Sequence, residues 1–157
     1  MSEVKINLPT TLFPMKANLP TKEPEIIKFW DQINLYQELR SNSQGREKFI
    51  LHDGPPYANG HIHIGTALNK ILKDIVVRFN QMTGKDAPYV PGWDCHGLPV
   101  EYEINKAHKI ESRKDVLNMG VAKYNGLCRS IVKRYSEEWK TTVRRVGRWV
   151  DMENPYF

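Results

Sequence analysis

An apolar run, a strongly periodic helical stretch and a second extended stretch follow one another between residues 49 and 90. The run Phe49–Leu51 is short and apolar, which is typical of a buried strand. The stretch "DAPYV", residues 86–90, predicts a second strand, although Pro88 points to its beginning or to an irregularity. A strand, a helix and a strand in this order form a βαβ unit, whose two strands run parallel. The pattern therefore predicts an α/β chain.

The stretch between the two predicted strands has the apolar spacing of an amphipathic helix. Large apolar residues recur every three or four positions and form one stripe: Leu68, Ile71, Leu72, Ile75, Val76, Phe79 and Met82. Gly84 predicts the end of this helix.

The residues before the βαβ unit predict an arm and a helix. Residues 1–20 contain three prolines and read as an extended arm. A helix is expected from Thr21, because threonine is a good cap and Pro24 suits a first turn. We therefore assign residues 1–44 to an N-terminal arm and helix.

Residues 45–157 are predicted to be part of one α/β domain. After the loop "PGWDCHGLP", residues 91–99, a helix is expected from Pro99, and a long amphipathic helix spans Val121 to Val146. The basic face of that long helix is more simply a solvated face than an RNA-binding one. One βαβ unit has too few strands for a complete doubly wound domain, so we expect a truncated one.

Composition narrows the function classes only slightly. The net charge of +5 suggests a polyanionic partner weakly. Cys95 and Cys128 form no Cys-x-x-Cys pair, which favours a reduced, cytoplasmic setting. No apolar run approaches the roughly twenty residues that span a bilayer, and the first residues contain no apolar signal core.

The stretch "GPPYANGHIHIGTALNK", residues 54–70, stands where the first strand passes into the helix. Gly60 and Gly65 allow tight turns and close approach of a ligand. Free N–H groups at a helix start attract anions, Thr66 is a candidate N-cap, and His63 could donate to the same anion. An ordinary strand–helix turn with unremarkable histidines is the alternative. The spacing matches neither a Walker loop nor G-x-G-x-x-G.

The second loop contributes a carboxylate, Asp94, after the second predicted strand. There it could pair with a cationic group of a ligand, or it could simply cap the following turn. Zinc binding by His61, His63, Cys95 and His96 is also conceivable. Because adjacent residues such as Cys95 and His96 rarely chelate one ion, zinc is not expected.

These stretches resemble a known family. "HIGT", residues 63–66, after "GPPYANG" is similar to the HIGH signature of the class I aminoacyl-tRNA synthetases. "LNKILKD", residues 68–74, and "YVPGWDCHGLPVE", residues 89–101, resemble the isoleucyl enzymes in particular. The likeness extends through the arm and to "GRWVDMENPYF" at residues 147–157, and so covers essentially the whole chain.

The resemblance implies the first half of a Rossmann-type nucleotide-binding domain in residues 45–157. It implies that His63, Gly65 and Thr66 bind ATP, and that His63 and Thr66 stabilise the transition state in which isoleucine's carboxylate attacks the α-phosphorus. Asp94 would bind the amino group of isoleucine, and His96 would support its loop. Magnesium would accompany the pyrophosphate. The aminoacyl-adenylate pocket would be lined by Pro55, Pro56, Tyr57, Ala58, Asn59 and Gly60.

The sequence also departs from the family pattern. Thr66 stands where the second histidine of HIGH is usual, and a hydroxyl cannot be cationic. The second signature, KMSKS, does not occur, and neither do the editing and anticodon-binding domains. The resemblance thus predicts the N-terminal part of an isoleucine–tRNA ligase, inactive alone, whose complete form is a cytoplasmic monomer acting on isoleucine, ATP and tRNA(Ile).

Two other interpretations stay open. One is an inactive or partner-dependent binding fragment. The other is a nucleotidyl-transferring enzyme of the same fold that uses no tRNA, against which the string "GWDCHGLP" argues.

Overall fold

The computed structural model describes residues 10–157 and is built mainly of helices. Residues 1–9, with the first part of the predicted arm, lie outside the described residues. No helix in the described part of the chain has both the length and the apolar character needed to cross a membrane. The helices are α1 (Leu19–Gln32), α2 (Leu35–Asn42), α3 (Ile64–Met82), α4 (Leu98–His108), α5 (Arg113–Met119) and α6 (Val121–Arg145).

The first predicted helix exists but has different bounds. It begins at Leu19, with Asn18 rather than Thr21 as its N-cap, so the prediction for Thr21 was wrong. The helical region is then interrupted at Asn34, and α2 follows. Asn18 and Asn34 adopt left-handed conformations, with φ of 49° and 50°. Asparagine tolerates this conformation better than most residues, so both positions suit a change of chain direction.

The prediction of strands at residues 49–51 and 86–90 was wrong. Between residues 10 and 157, β-pairing is limited to single parallel bridges, which join Lys48 to Asp86, Tyr57 to Asp94, and Gly92 to Tyr156. The segments do run parallel, as a βαβ unit requires, but they do not form a continuous ladder. Proline lacks the N–H that a ladder needs, and these segments contain Pro55, Pro56, Pro88 and Pro91. The Rossmann-type half therefore stays a prediction.

The apolar stripe of α3 faces outward. Its members are from 40% to 77% exposed: Leu68, Ile71, Leu72, Ile75, Val76, Phe79 and Met82. The buried residues of this helix are Lys70, Asp74, Val77 and Gln81. The helix thus packs on the described chain through a mostly polar face and leaves its more apolar face open.

The core next to the candidate site lies between α4, α6 and the two loops. Trp93 and Trp139 meet edge to face, with ring centroids 5.5 Å apart, and both side chains are buried. Val100 from α4 and Val132 from α6 belong to the same cluster, as does Ala58. The helices predicted after Pro99 and from Val121 to Val146 are confirmed as α4 and α6. This core supports both loops from beneath.

Arg78 of α3 ties the N-terminal helix to the end of α6. Its guanidinium lies 5.4 Å from the ring centroid of Trp30 and 4.4 Å from that of Trp149. Its Nε donates to the carboxylate of Asp74 at 2.6 Å, and Nη2 donates to the carbonyl oxygen of Gly147. Asp74 in turn accepts the backbone N–H of Trp149 at 3.0 Å. Cation–π and charged hydrogen bonds thus join three distant segments.

Candidate functional site

The two loops singled out in the sequence lie side by side. The backbone N–H of Asp94 donates to the carbonyl oxygen of Pro56 at 2.9 Å, and a parallel bridge joins Tyr57 to Asp94. A hydrogen bond to the Asp94 carboxylate, together with its charge, raises the pKa of the Tyr57 phenol. The carboxylate is therefore held beside the loop that carries the candidate substrate residues.

Three residues of the 54–60 loop anchor it to the core. Ala58 is completely buried. The side-chain amide of Asn59 donates to the carbonyl oxygen of Pro99 at 3.1 Å, and the carbonyl oxygen of Gly60 accepts from the indole N–H of Trp139 at 2.8 Å. Because these contacts span α4 and α6, the loop conformation depends on the whole helical core. Pro55 and Tyr57 remain exposed to solvent, while Pro56 is half-buried.

His63, not Thr66, is the N-cap of α3, which corrects the sequence prediction. The Nδ1 atom of His63 accepts the backbone N–H of Thr66 at 3.3 Å, so the ring proton lies on Nε2. Nε2 lies 2.9 Å from the Thr66 hydroxyl, to which it can donate. A Cβ at Gly65 would lie 3.2 Å from the His63 ring, so this close approach favours glycine. His63, Gly65 and Thr66 thus form one compact group at the start of the helix.

His61, His96 and the two cysteines have separate surroundings. His96 is exposed, and its backbone N–H lies 3.5 Å from a carboxylate oxygen of Asp94. His61 pairs with Glu138 at 2.5 Å on the surface of α6. Cys95 and Cys128 are free thiols, and burial raises the pKa of both. Among residues 10–157, no three His, Cys, Asp or Glu side chains come together as a metal site.

An unpredicted polar cluster surrounds Asp53, which comes directly before the 54–60 loop. Its carboxylate accepts hydrogen bonds from Lys70 at 2.6 Å, from Tyr89 at 2.5 Å, and from Lys73. Burial acts to raise the pKa of Asp53, but these hydrogen bonds outweigh it and lower the pKa to about 2. Burial and the bond to Asp53 raise the pKa of Tyr89 to about 12. A carboxylate at the end of an apolar run was the available sequence signal.

Two cavities lie near these elements. One, of about 430 Å³, is lined by residues 50–54 together with Pro88 and Val90, so it opens beside Asp53 and Gly54. The other, of about 480 Å³, lies between α1 and the segment that follows α6. No candidate site residue lines the larger cavity, and the smaller one reaches only Asp53 and Gly54, next to the candidate loop. A third cavity, of about 20 Å³, is lined by Pro56 together with Lys70 and Tyr89.

The comparisons with known proteins agree on one family. Residues 25–157 match the family model described as tRNA synthetases class I (I, L, M and V). The chain is similar to the isoleucine–tRNA ligase of Pelagibacter ubique (strain HTCC1062), with 55% identity over 99% of this chain and 17% of that protein. It is 61% identical to the isoleucine–tRNA ligase of Bdellovibrio bacteriovorus, over 90% of this chain and 13% of that protein.

A solved structure shares the fold. It is the ternary complex of an Agrobacterium radiobacter K84 LeuRS with tRNA and LeuAMS, with a TM-score of 0.65 and 20% identity. The match covers 90% of this chain and 16% of that one. The chain thus spans less than one fifth of the length of each protein compared. With a family model that matches most of its residues, the chain belongs to the class I tRNA synthetases (I, L, M and V).

Proposed function

We propose that this chain contributes the HIGH-type half of the active site of an isoleucine–tRNA ligase. The reaction is ATP-dependent activation of isoleucine to isoleucyl-adenylate, followed by transfer to tRNA(Ile). One observation carries the proposal: the bridge between Tyr57 and Asp94 puts the 54–60 loop, which contains the candidate substrate residues, next to the Asp94 carboxylate. The relatives named isoleucine–tRNA ligase supply the choice of amino acid.

The phosphates of ATP are proposed to bind at the start of α3. The first N–H groups of a helix have no partners within it and favour an anion. Here the Thr66 N–H is occupied by the His63 ring. A phosphate oxygen at this position would replace that ring as acceptor, which would free the His63 ring to donate from Nε2. His63 and Thr66 would then stabilise the charge that develops on the phosphoryl group.

Isoleucine is proposed to bind through its ammonium group at Asp94. A carboxylate and an ammonium form a charge-assisted hydrogen bond, which orients the amino acid. The exposed Tyr57 and Pro55 would border the same space, and His96 would support the Asp94 loop. Held in this way, the isoleucine carboxylate could approach the α-phosphorus of a nucleotide bound at α3.

The residues described here do not form a magnesium cage. Magnesium binds through one or two carboxylates and the substrate phosphates. The Asp53 carboxylate already accepts hydrogen bonds from Lys70, Lys73 and Tyr89. In the part of the chain that the structure describes, no three His, Cys, Asp or Glu side chains come together as metal ligands. Any magnesium would therefore be held chiefly by the phosphates of ATP and by the rest of the enzyme.

The remaining steps belong to the rest of a ligase. Transfer to tRNA(Ile), the KMSKS contribution and editing are assigned to segments of a ligase other than residues 1–157. A cytoplasmic location and a monomeric complete enzyme stay predictions from the sequence.

The test is isoleucine-dependent exchange of pyrophosphate into ATP. It compares the chain alone, the chain with the remaining part of a relative's ligase added as a second polypeptide, and the two parts joined as one chain. We expect exchange only when the remaining part is present. Absence of exchange in all three settings would refute the proposal.

A partner-dependent binding fragment is the second candidate. The exposed apolar stripe of α3 favours it, because a large exposed apolar surface is typical of an interaction site. The same experiment separates the two: binding of the remaining part without any exchange supports the second candidate.

A further inference from the structure

Asp53 connects the three segments that carry the proposed site. It comes directly before Gly54, the first residue of the 54–60 loop. Its carboxylate is bound by Lys70 of α3 and by Tyr89 of the segment that leads to Asp94. We propose that Asp53 is a positioning residue, whose carboxylate sets the distance between the ATP half and the isoleucine half of the site. This inference rests on the proposed function.

The contacts lie close to the residues that would touch substrate. Lys70 comes four residues after Thr66, about 6 Å farther along the helix. Tyr89 precedes Asp94 by five residues. A shift of the Asp53 carboxylate would therefore be transmitted to the start of α3 and to the Asp94 loop together.

Burial makes these contacts rigid. The side chain of Asp53 is 4% exposed and that of Lys70 is 9% exposed, whereas Lys73 is 27% exposed. A buried ammonium without a countercharge is strongly unfavourable, so Lys70 cannot leave the carboxylate without loss. Lys73 supplies a second charge at the other carboxylate oxygen. Three donors from two different segments thus hold one acceptor in place.

Replacing the carboxylate by an amide should disturb this geometry while keeping the side-chain shape. An amide presents one acceptor oxygen and one NH₂ donor group, so Asp53→Asn places donors against a lysine ammonium. The cluster has to rearrange, and both halves of the site move. A residue with a role in one half only would change the binding of one substrate only.

The experiment measures pyrophosphate exchange in an isoleucine–tRNA ligase that contains this chain joined to the remaining part of a relative. For Asp53→Asn we expect the KM values for ATP and for isoleucine both to rise, by about fivefold or more. The matched control is Asp86→Asn. Asp86 is also partly buried and pairs with Arg40 at 2.9 Å, but it lies at the opposite end of the segment that leads to Asp94. In the control, both KM values should stay within about twofold.

The outcomes are distinguishable. KM values within twofold of the parent ligase for Asp53→Asn, or an equal rise in the Asp86→Asn control, would overturn the positioning role. If Asp53→Asn does not fold, Lys73→Met replaces it, because Lys73 is the more exposed donor, and a smaller joint rise is expected. No exchange in the parent ligase would refute the proposed function itself, and the positioning role with it.

Discussion

The backbone N–H of Asp94 donates to the carbonyl oxygen of Pro56 over 2.9 Å. This contact joins the two loops of the candidate site through main-chain atoms. The Asp94 side chain, whose carboxylate accepts a hydrogen bond from the Tyr57 phenol, does not make this contact, so its replacement should leave the main-chain contact in place. The proposed roles of individual side chains can thus be tested without taking the site apart.

Asp94→Ala should weaken isoleucine binding much more than ATP binding. Loss of a charged hydrogen bond to the ammonium group is worth about 1.5–3 kcal/mol, or roughly 10- to 100-fold in KM. The measurement is the KM for each substrate in pyrophosphate exchange by a ligase containing this chain. An equal loss for both substrates would mean that Asp94 only supports the loop.

Thr66→His should leave exchange activity equal or higher. The backbone N–H of Thr66 makes the cap contact with His63 and is kept by any residue except proline. The new imidazole can donate a hydrogen bond to phosphate and, when protonated, adds a positive charge there. The measurement is kcat/KM for ATP. A large decrease would mean that the Thr66 hydroxyl, which lies 2.9 Å from His63, is needed in place.

The stability of the chain should decrease in acid through Asp53. The pKa of Asp53 is lowered from 3.8 to about 2 in the folded chain, so its contribution is present above pH 4 and is lost as the pH falls towards 2. The size is of the order of 1 kcal/mol after allowance for solvent screening. Urea unfolding between pH 6 and pH 2 measures it. The stability difference between the parent chain and Asp53→Asn should become smaller at low pH, and a constant difference would contradict the prediction.

Substitutions on the two faces of α3 should change the free energy of unfolding by different amounts. Ile75 is 56% exposed and Val77 is 3% exposed. Ile75→Gln should therefore change the free energy of unfolding of the chain by less than about 0.5 kcal/mol. Val77→Ala should lower it by about 1–2 kcal/mol, because it removes buried methyl groups and leaves a cavity. The reverse order in urea unfolding would mean that the apolar stripe is buried in solution.

Arg78→Ala should destabilise the chain by about 2–3 kcal/mol. The substitution removes two cation–π contacts and leaves the Asp74 carboxylate without its guanidinium partner. Arg144→Ala is the control, because Arg144 is 67% exposed in its pair with Asp31 and should cost less than about 1 kcal/mol. Thermal and urea unfolding measure both. Similar losses would contradict the role assigned to Arg78.

The local spacing of apolar residues predicted four of the six described helices. It failed where the structure of a segment depends on contacts with residues far away in the sequence. The spacing of apolar residues located α3, α4 and α6 because helical periodicity depends on neighbours within one or two turns. The same reasoning missed the break at Asn34 and predicted strands at residues 49–51 and 86–90. A strand depends on pairing with segments far away in the sequence, and here that pairing is limited to single bridges.

In the candidate site, too, some features could be predicted from the sequence and others could not. The sequence predicted a role for the 54–66 stretch and for Asp94, because glycines, a histidine and a carboxylate in such loops have recognisable chemical uses; that role stays a prediction. The exchange of roles between His63 and Thr66 was not, since either side chain could cap α3. The cluster at Asp53 was also missed, because its donors come from positions 17 to 36 residues away.

The sequence by itself determined the family, four of the six described helices (α1, α3, α4 and α6) and the residues available for chemistry. Only the tertiary structure decided which face of α3 is covered, that Lys70 and Lys73 meet Asp53, and that Asp94 lies beside Tyr57. The reason is physical. Propensity and capping are local properties, whereas burial and the pairing of charges depend on which distant segments the folded chain brings together.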